Sequence, residues 1–145
     1  MTAGVVFITS GETYTRDACE AARSVRKSNP RLEIDLFCAN PTEVPKGIFD
    51  QIHLIENPHR RSKVDCLSLS RFDRTLYLDS DIRVVAEVTS MFALLDRFHF
   101  AAAHAHARNR SQTNMKWQHD ITDAFPQLNG GVLLFRKCDA VQELL

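Results

Sequence analysis

Glycine and proline are scarce, five of each among 145 residues, which excludes collagenous, low-complexity and broadly disordered chains. Charge of one sign is also missing. Eighteen Lys and Arg balance eighteen Asp and Glu, so the formal net charge is zero. A module that grips nucleic acid or an anionic membrane through its overall charge is thereby excluded. The four cysteines, Cys19, Cys38, Cys66 and Cys138, are far apart and form no C-x-x-C pair. That spacing argues against a zinc ribbon or a thioredoxin-like centre and fits buried free thiols in a reducing compartment. Long apolar runs are absent too. The first ten residues are too short for a signal-peptide core and have no basic lead-in, and no later stretch approaches the roughly 20 apolar residues of a spanning helix. The expectation is a soluble, cytoplasmic protein without a transmembrane segment.

What is present is an ordinary globular composition, 44% hydrophobic and 25% charged, in a chain long enough to bury one core. One domain spanning 1–145 is expected. Val5-Val6-Phe7-Ile8 is a continuous, mostly β-branched run, the pattern of a strand buried on both faces of a parallel sheet. Residues 13–28 then turn helical, with Ala18, Ala22 and Val25 on one face, Thr13 or Thr15 as cap, Asp17 at the positive end and Asn29-Pro30 as the stop. Further apolar runs at 34–39 and 52–55, separated by a proline-containing loop, read as two more strands. Residues 64–70 read as a short helix, and 87–97, with Val88, Met91, Phe92 and Leu95, as an amphipathic helix packed on the sheet. Phe100 to Ala103 and Val132-Leu133-Leu134-Phe135 read as strands, and 104–123 as a polar loop or lid. The fold class is α/β, a three-layer α/β/α sandwich around a mostly parallel sheet.

Thr75-Leu76-Tyr77-Leu78 is the clearest buried strand, and it runs directly into Asp79-Ser80-Asp81. In α/β folds, ligands bind in the crevice outside the carboxyl ends of the strands. In extended backbone, Asp79 and Asp81 project to one side, so their oxygens could share a hard cation such as Mn²⁺ or Mg²⁺. The competing reading is a turn in which Asp79 caps and Asp81 is merely solvated.

At this junction the chain resembles the metal-dependent, GT-A fold nucleotide-sugar glycosyltransferases, closest to glycosyltransferase family 8. The stretch from Arg71 through Asp79-Ser80-Asp81-Ile82 is similar to that group's strand leading into its D-x-D motif. Leu128-Asn129-Gly130-Gly131-Val132 is similar to its Asn-small-Gly-Val segment. The resemblance implies that Asp79 and Asp81 hold the cation and the donor diphosphate, and that Lys63 reaches donor ribose or phosphate. It further implies that Asn129, Gly130 and Gly131 face the transferred sugar or the acceptor, and that Tyr14 stacks on the nucleotide base. The implied activity is transfer from a nucleotide-sugar donor, a UDP-sugar, with retention, to a sugar, lipid or protein acceptor. No catalytic base is identified. Lys63 reads equally as an exposed helix lysine, and 129–131 as a tight turn entering a strand.

The family usually completes its metal site with a His beyond the second motif, and this chain ends at Leu145, so the usual C-terminal part is expected to be lacking. One of His104 and His106 could substitute as a ligand, but both read first as surface or loop histidines, and His53, His59, His99 and His119 read as structural or solvated. Two rivals stay open. One is a degenerate domain of this fold that binds nucleotide without transfer. The other is a Mg²⁺-dependent phosphohydrolase of the haloacid-dehalogenase type, in which Asp79 would be the nucleophile but Ile82-Arg83 replaces the expected Gly-Thr.

Overall fold

The computed structural model describes residues 1–105 and 127–145. The first apolar run forms β1 (Ala3–Thr9), buried along nearly its whole length. It is followed by α1 (Glu12–Ser28) and β2 (Glu33–Cys38). A single 3₁₀ turn, Pro41–Glu43, leads to β3 (Gln51–Leu54). Then come α2 (Ser62–Leu67), β4 (Arg74–Leu78), a 3₁₀ helix at Thr89–Asp96 and β5 (Phe100–His104). After 106–126, β6 (Leu128–Arg136) and α3 (Asp139–Gln142) complete the described chain.

The strands form one sheet in the order β3-β2-β1-β4-β6-β5. β1, β2, β3 and β4 are mutually parallel, and β6 runs antiparallel to both β4 and β5. Alternation along the strands sorts side chains onto two faces. Val5 and Phe7, Ile34 and Leu36, Leu76 and Leu78 meet Ala18, Ala22 and Val25 of α1, with Phe92 and Leu95 of the 3₁₀ helix. On the other face Val6 and Phe37 pack on Cys66 and Phe72, while Tyr77 and Phe135 pack on Leu67 and Val141. Helices on both sides of the sheet make the three-layer α/β sandwich that the sequence predicts.

Local departures have physical causes. Neither Thr13 nor Thr15 caps α1, because the chain turns at Gly11, whose extended backbone is the N-cap without a side-chain bond. Thr15 instead bonds inward, to the Gly11 carbonyl at 3.0 Å and to the Thr9 hydroxyl at 2.8 Å, fastening the end of β1 to the helix. Glu12 is the first-turn acid, which leaves Asp17 beyond the positive end. The segment expected as an amphipathic helix over 87–97 is a tighter 3₁₀ helix that buries only Phe92 and Leu95. β3 is an edge strand, with Leu54 58% exposed. Cys19, Cys38 and Cys66 are buried free thiols and Cys138 is half-buried and free. Burial pushes the first three thiols above their ordinary range. Among the described residues no helix is long and apolar enough to cross a membrane.

Close packing fixes the layer spacing. A Cβ built on Gly4 of β1 would overlap the Phe72 ring on the neighbouring layer, so only glycine lets that ring lie against the strand. Gly4→Ala is expected to lower stability by about 1–3 kcal/mol, the usual range for an overpacked core. A urea denaturation midpoint indistinguishable from wild type would contradict this packing.

Candidate functional site

Winding starts at β1, goes outward through β2 and β3 on one side, and resumes with β4 on the other. The β1–β4 junction is therefore a topological switch point, where diverging connections leave a crevice at the carboxyl ends of the strands. A cavity of about 340 Å³ lies there. Its walls are the tip of β1 (Ile8, Thr9, Ser10), the start of α1 (Tyr14, Asp17), the approach to α2 (His59, Arg60) with its first turn (Ser62, Lys63), and the tip of β4 (Tyr77, Asp79, Ser80, Asp81).

Both aspartates of the D-x-D motif line this cavity, by a different route from the one expected. β4 ends at Leu78, and 79–81 form a turn in which the Ile82 N–H donates to the Asp79 carbonyl at 3.2 Å. The two carboxylates thus come together through a turn rather than through strand alternation. They are also unequal. Asp79 is half-buried and heavily engaged: Lys63 Nζ lies 3.1 Å from its Oδ1, the Tyr77 hydroxyl donates to the same oxygen, and its own N–H donates to the Gly131 carbonyl at 2.9 Å. Asp81 is exposed, with no hydrogen bond or ion pair among the described residues.

Lys63 is not a solvated helix lysine. Its ammonium donates to Asp79 and, at 3.1 Å, to the Gly130 carbonyl, and it lies 4.9 Å from the centroid of the Tyr77 ring. Asn129, Gly130 and Gly131 belong to β6, not to a tight turn. The antiparallel register sets Leu78 opposite Val132, which brings the start of β6 beside the end of β4. Asn129 Oδ1 accepts the Gly131 N–H at 2.7 Å. Tyr14 is 60% exposed in the cavity wall, an open aromatic face. His59, read from sequence as structural or solvated, lines the cavity and contacts Asp65 at 2.6 Å. His53 is structural, stacked on Phe37 with centroids 4.5 Å apart.

Sequence reasoning missed Tyr77 and Arg60 as parts of the site. An apolar run hides the tyrosine hydroxyl, although its place two residues before Asp79 is a usable signal. Burial, then the Asp79 bond and the charges of Asp79 and Asp81, push the Tyr77 phenol far above its ordinary value, so it stays a donor. Two carboxylates on one cavity are a hard-oxygen donor pair that fits Mg²⁺ or Mn²⁺. Among the described residues, however, no group of three His, Cys, Asp or Glu side chains is positioned to hold a metal ion. His104 ends β5 opposite Leu128 and is not among the residues lining the cavity. His106, His119 and most of the 104–123 segment lie outside the described residues.

No family model matches the sequence, and no curated protein does. Solved structures do match. The chain is similar to the glycosyltransferase GlyE of Streptococcus pneumoniae TIGR4, with 26% identity over 93% of this chain and 34% of that one, at a TM-score of 0.63. It is similar to the galactosyltransferase LgtC in complex with donor and acceptor sugar analogues, with 21% identity over 92% and 57% of the two chains, at a TM-score of 0.62. It is also similar to the bifunctional glycosyltransferase WbbM, with 16% identity over 99% and 33%, at a TM-score of 0.59. The fold is therefore that of GT-A-like glycosyltransferases, and the chain spans between a third and somewhat more than half of these proteins.

Gly131 provides a test of the geometry. A Cβ there would come within 2.9 Å of Asp79 Oδ2 and 3.0 Å of Asn129 Oδ1, so one of the two groups must move. For any ligand that reaches the Asp79 carboxylate, Gly131→Ala is expected to weaken binding about tenfold, equivalent to ~1.4 kcal/mol. Calorimetric titration checks this, and an unchanged affinity would remove Asp79 and Asn129 from the binding geometry.

Proposed function

We propose that the chain carries the donor site of a metal-dependent, family 8-like glycosyltransferase, taking a UDP-sugar and transferring its sugar, with retention, to a sugar, lipid or protein acceptor. The observation that carries this reading is the meeting of Asp79, Asp81 and Lys63 on one cavity at the switch point of a glycosyltransferase fold. A donor diphosphate brings several negative charges, and it can settle beside two carboxylates only where positive charge compensates. Lys63 supplies one fixed positive charge. Asp81 and Oδ2 of Asp79 are the oxygens left for a Mn²⁺ or Mg²⁺ ion. When bound, such an ion supplies Lewis-acid neutralisation of the charge on the departing nucleoside diphosphate.

The remaining residues take positions that suit the parts of such a donor. Tyr14 offers an exposed ring against which a base can stack. Gly130 and Gly131 admit a close approach of the sugar to the β6 backbone, since neither projects a side chain beyond the tip that holds Asp79. Metal dependence, donor identity, retention and the family assignment are parts of this proposal. A phosphohydrolase with Asp79 as nucleophile finds no support among the similar structures, and release of phosphate from an aryl phosphate would be needed to revive it.

Asp81→Asn tests the reading because Asp81 has no hydrogen-bond or ion-pair partner to lose among the described residues. UDP with Mn²⁺ at a hundredfold excess over its dissociation constant is expected to stabilise the wild-type chain by about 2.7 kcal/mol. For a chain of this size, that raises the melting temperature by roughly 5–10 °C. The Asn variant is expected to lose that shift while melting at the wild-type temperature without ligand. Consumption of the donor sugar then separates transfer from binding alone, and a shift that persists in the variant would sink the assignment.

A further inference from the structure

Asp79 and Lys63, opposite charges in one cavity, meet on a single buried side chain. Tyr77 is 2% exposed, packed with Leu67, Phe135 and Val141. Nothing in that apolar cluster uses a hydroxyl, and phenylalanine would fill the same space. The hydroxyl is spent on the cavity side, where it donates to Asp79 Oδ1. The ring meanwhile lies under Lys63, with Nζ 4.9 Å from its centroid. Lys63 in turn donates to the same Oδ1 and to the Gly130 carbonyl, both at 3.1 Å.

We infer that Tyr77 is a positioning residue for the donor site, acting through Asp79 and Lys63 rather than on the ligand. The phenol and the ammonium converge on Oδ1 and hold the carboxylate by that oxygen. No hydrogen bond among the described residues reaches Oδ2, which leaves that oxygen for an incoming ligand. A free aspartate would sample several rotamers and lose that freedom on binding. With the Tyr77 bond in place, the cost is met during folding, so the site is preorganised. The aromatic face also sets the height of Lys63 above the β4 tip through a cation–π contact. A single rigid side chain thereby fixes the spacing of the two charges. The inference rests on the donor-site reading proposed above.

The test uses the full chain, UDP and Mn²⁺. Tyr77→Phe keeps the ring and removes the bond to Asp79. It is expected to weaken UDP binding in calorimetry about five- to tenfold, in line with loss of a charge-assisted hydrogen bond, with the melting temperature of the free protein little changed. Tyr77→Leu removes the ring as well and is expected to weaken binding further. The chain has two tyrosines, so ¹³Cζ labelling gives one buried and one exposed signal. The buried signal is expected to move much further in Asp79→Asn, which loses the bond, than in Asp81→Asn, which removes only a more distant charge, a readout independent of ligand and of the stability of Tyr77 variants. Wild-type binding with unchanged Tyr77→Phe affinity overturns the inference, as does a Tyr77 signal indifferent to Asp79→Asn. A wild-type chain that binds no UDP with Mn²⁺ overturns the donor-site reading itself.

Discussion

Antiparallel pairing of β6 with β4 is the constraint on which the site depends. In an all-parallel sheet the start of a strand lies at the opposite edge from the carboxyl ends where ligands bind. Because β6 runs backwards, with Leu78 against Val132, its first residues arrive beside the tip of β4. That reversal gives Asp79 a main-chain carbonyl to donate to, gives Lys63 the Gly130 carbonyl, and brings Gly131 so close that a Cβ there would displace the Asp79 or Asn129 side chain. Contributions from residues some 50 positions apart thus become one wall, held by ladder hydrogen bonds rather than by a loop.

Electrostatics then divides the labour within that wall. Two carboxylates on one cavity repel unless a positive charge intervenes. Lys63 relieves the repulsion on one side only, through Asp79, and Asp81 stays uncompensated among the described residues. The cavity lining as a whole sets the carboxylates of Asp17, Asp79 and Asp81 against the cations of Lys63 and Arg60, a balance that favours a cation-bridged ligand over a bare polyanion. Arg60, on the wall before α2, widens the positive side and suits an anionic group bridged to the acidic side.

The strands at the core and the D-x-D junction were legible because they rest on local pattern: β-branched runs for β1 and β4, and two acids beyond the last apolar residue. Topology was not. Nothing in Val132-Leu133-Leu134-Phe135 says whether the strand runs with or against its neighbours, and the start of β6 was therefore readable equally as a turn. The 3₁₀ geometry of Thr89–Asp96 was hidden for a related reason: apolar spacing fits both helix types over two turns, and contact with the sheet decides. Lys63 was singled out through the resemblance, but its pairing with Asp79 was not legible, because a partner sixteen residues away on another element leaves no periodic trace.

A second acidic pair shows why spacing alone could not have identified the site. Glu33-Ile34-Asp35 has the same acid-x-acid pattern as Asp79-Ser80-Asp81. It lies at the amino end of β2, within the strand, where alternation carries both acids to one face. There Arg71 engages both: Nε lies 2.7 Å from Asp35 Oδ2 and Nη2 contacts Glu33 and Asp35. The guanidinium is stacked over Phe72 at 4.4 Å, and Asp35 is 1% exposed, with His53 at 3.5 Å. Arg71 holds both carboxylates, Asp35 buried and Glu33 at the surface, and its guanidinium occupies the side on which a ligand would have to approach the pair. The other pair lies beyond its strand, one member held by a lysine and a tyrosine and the other by nothing among the described residues. Position relative to the strand end, and the residue type that answers the acids, separate an ion pair that builds the protein from one that can act.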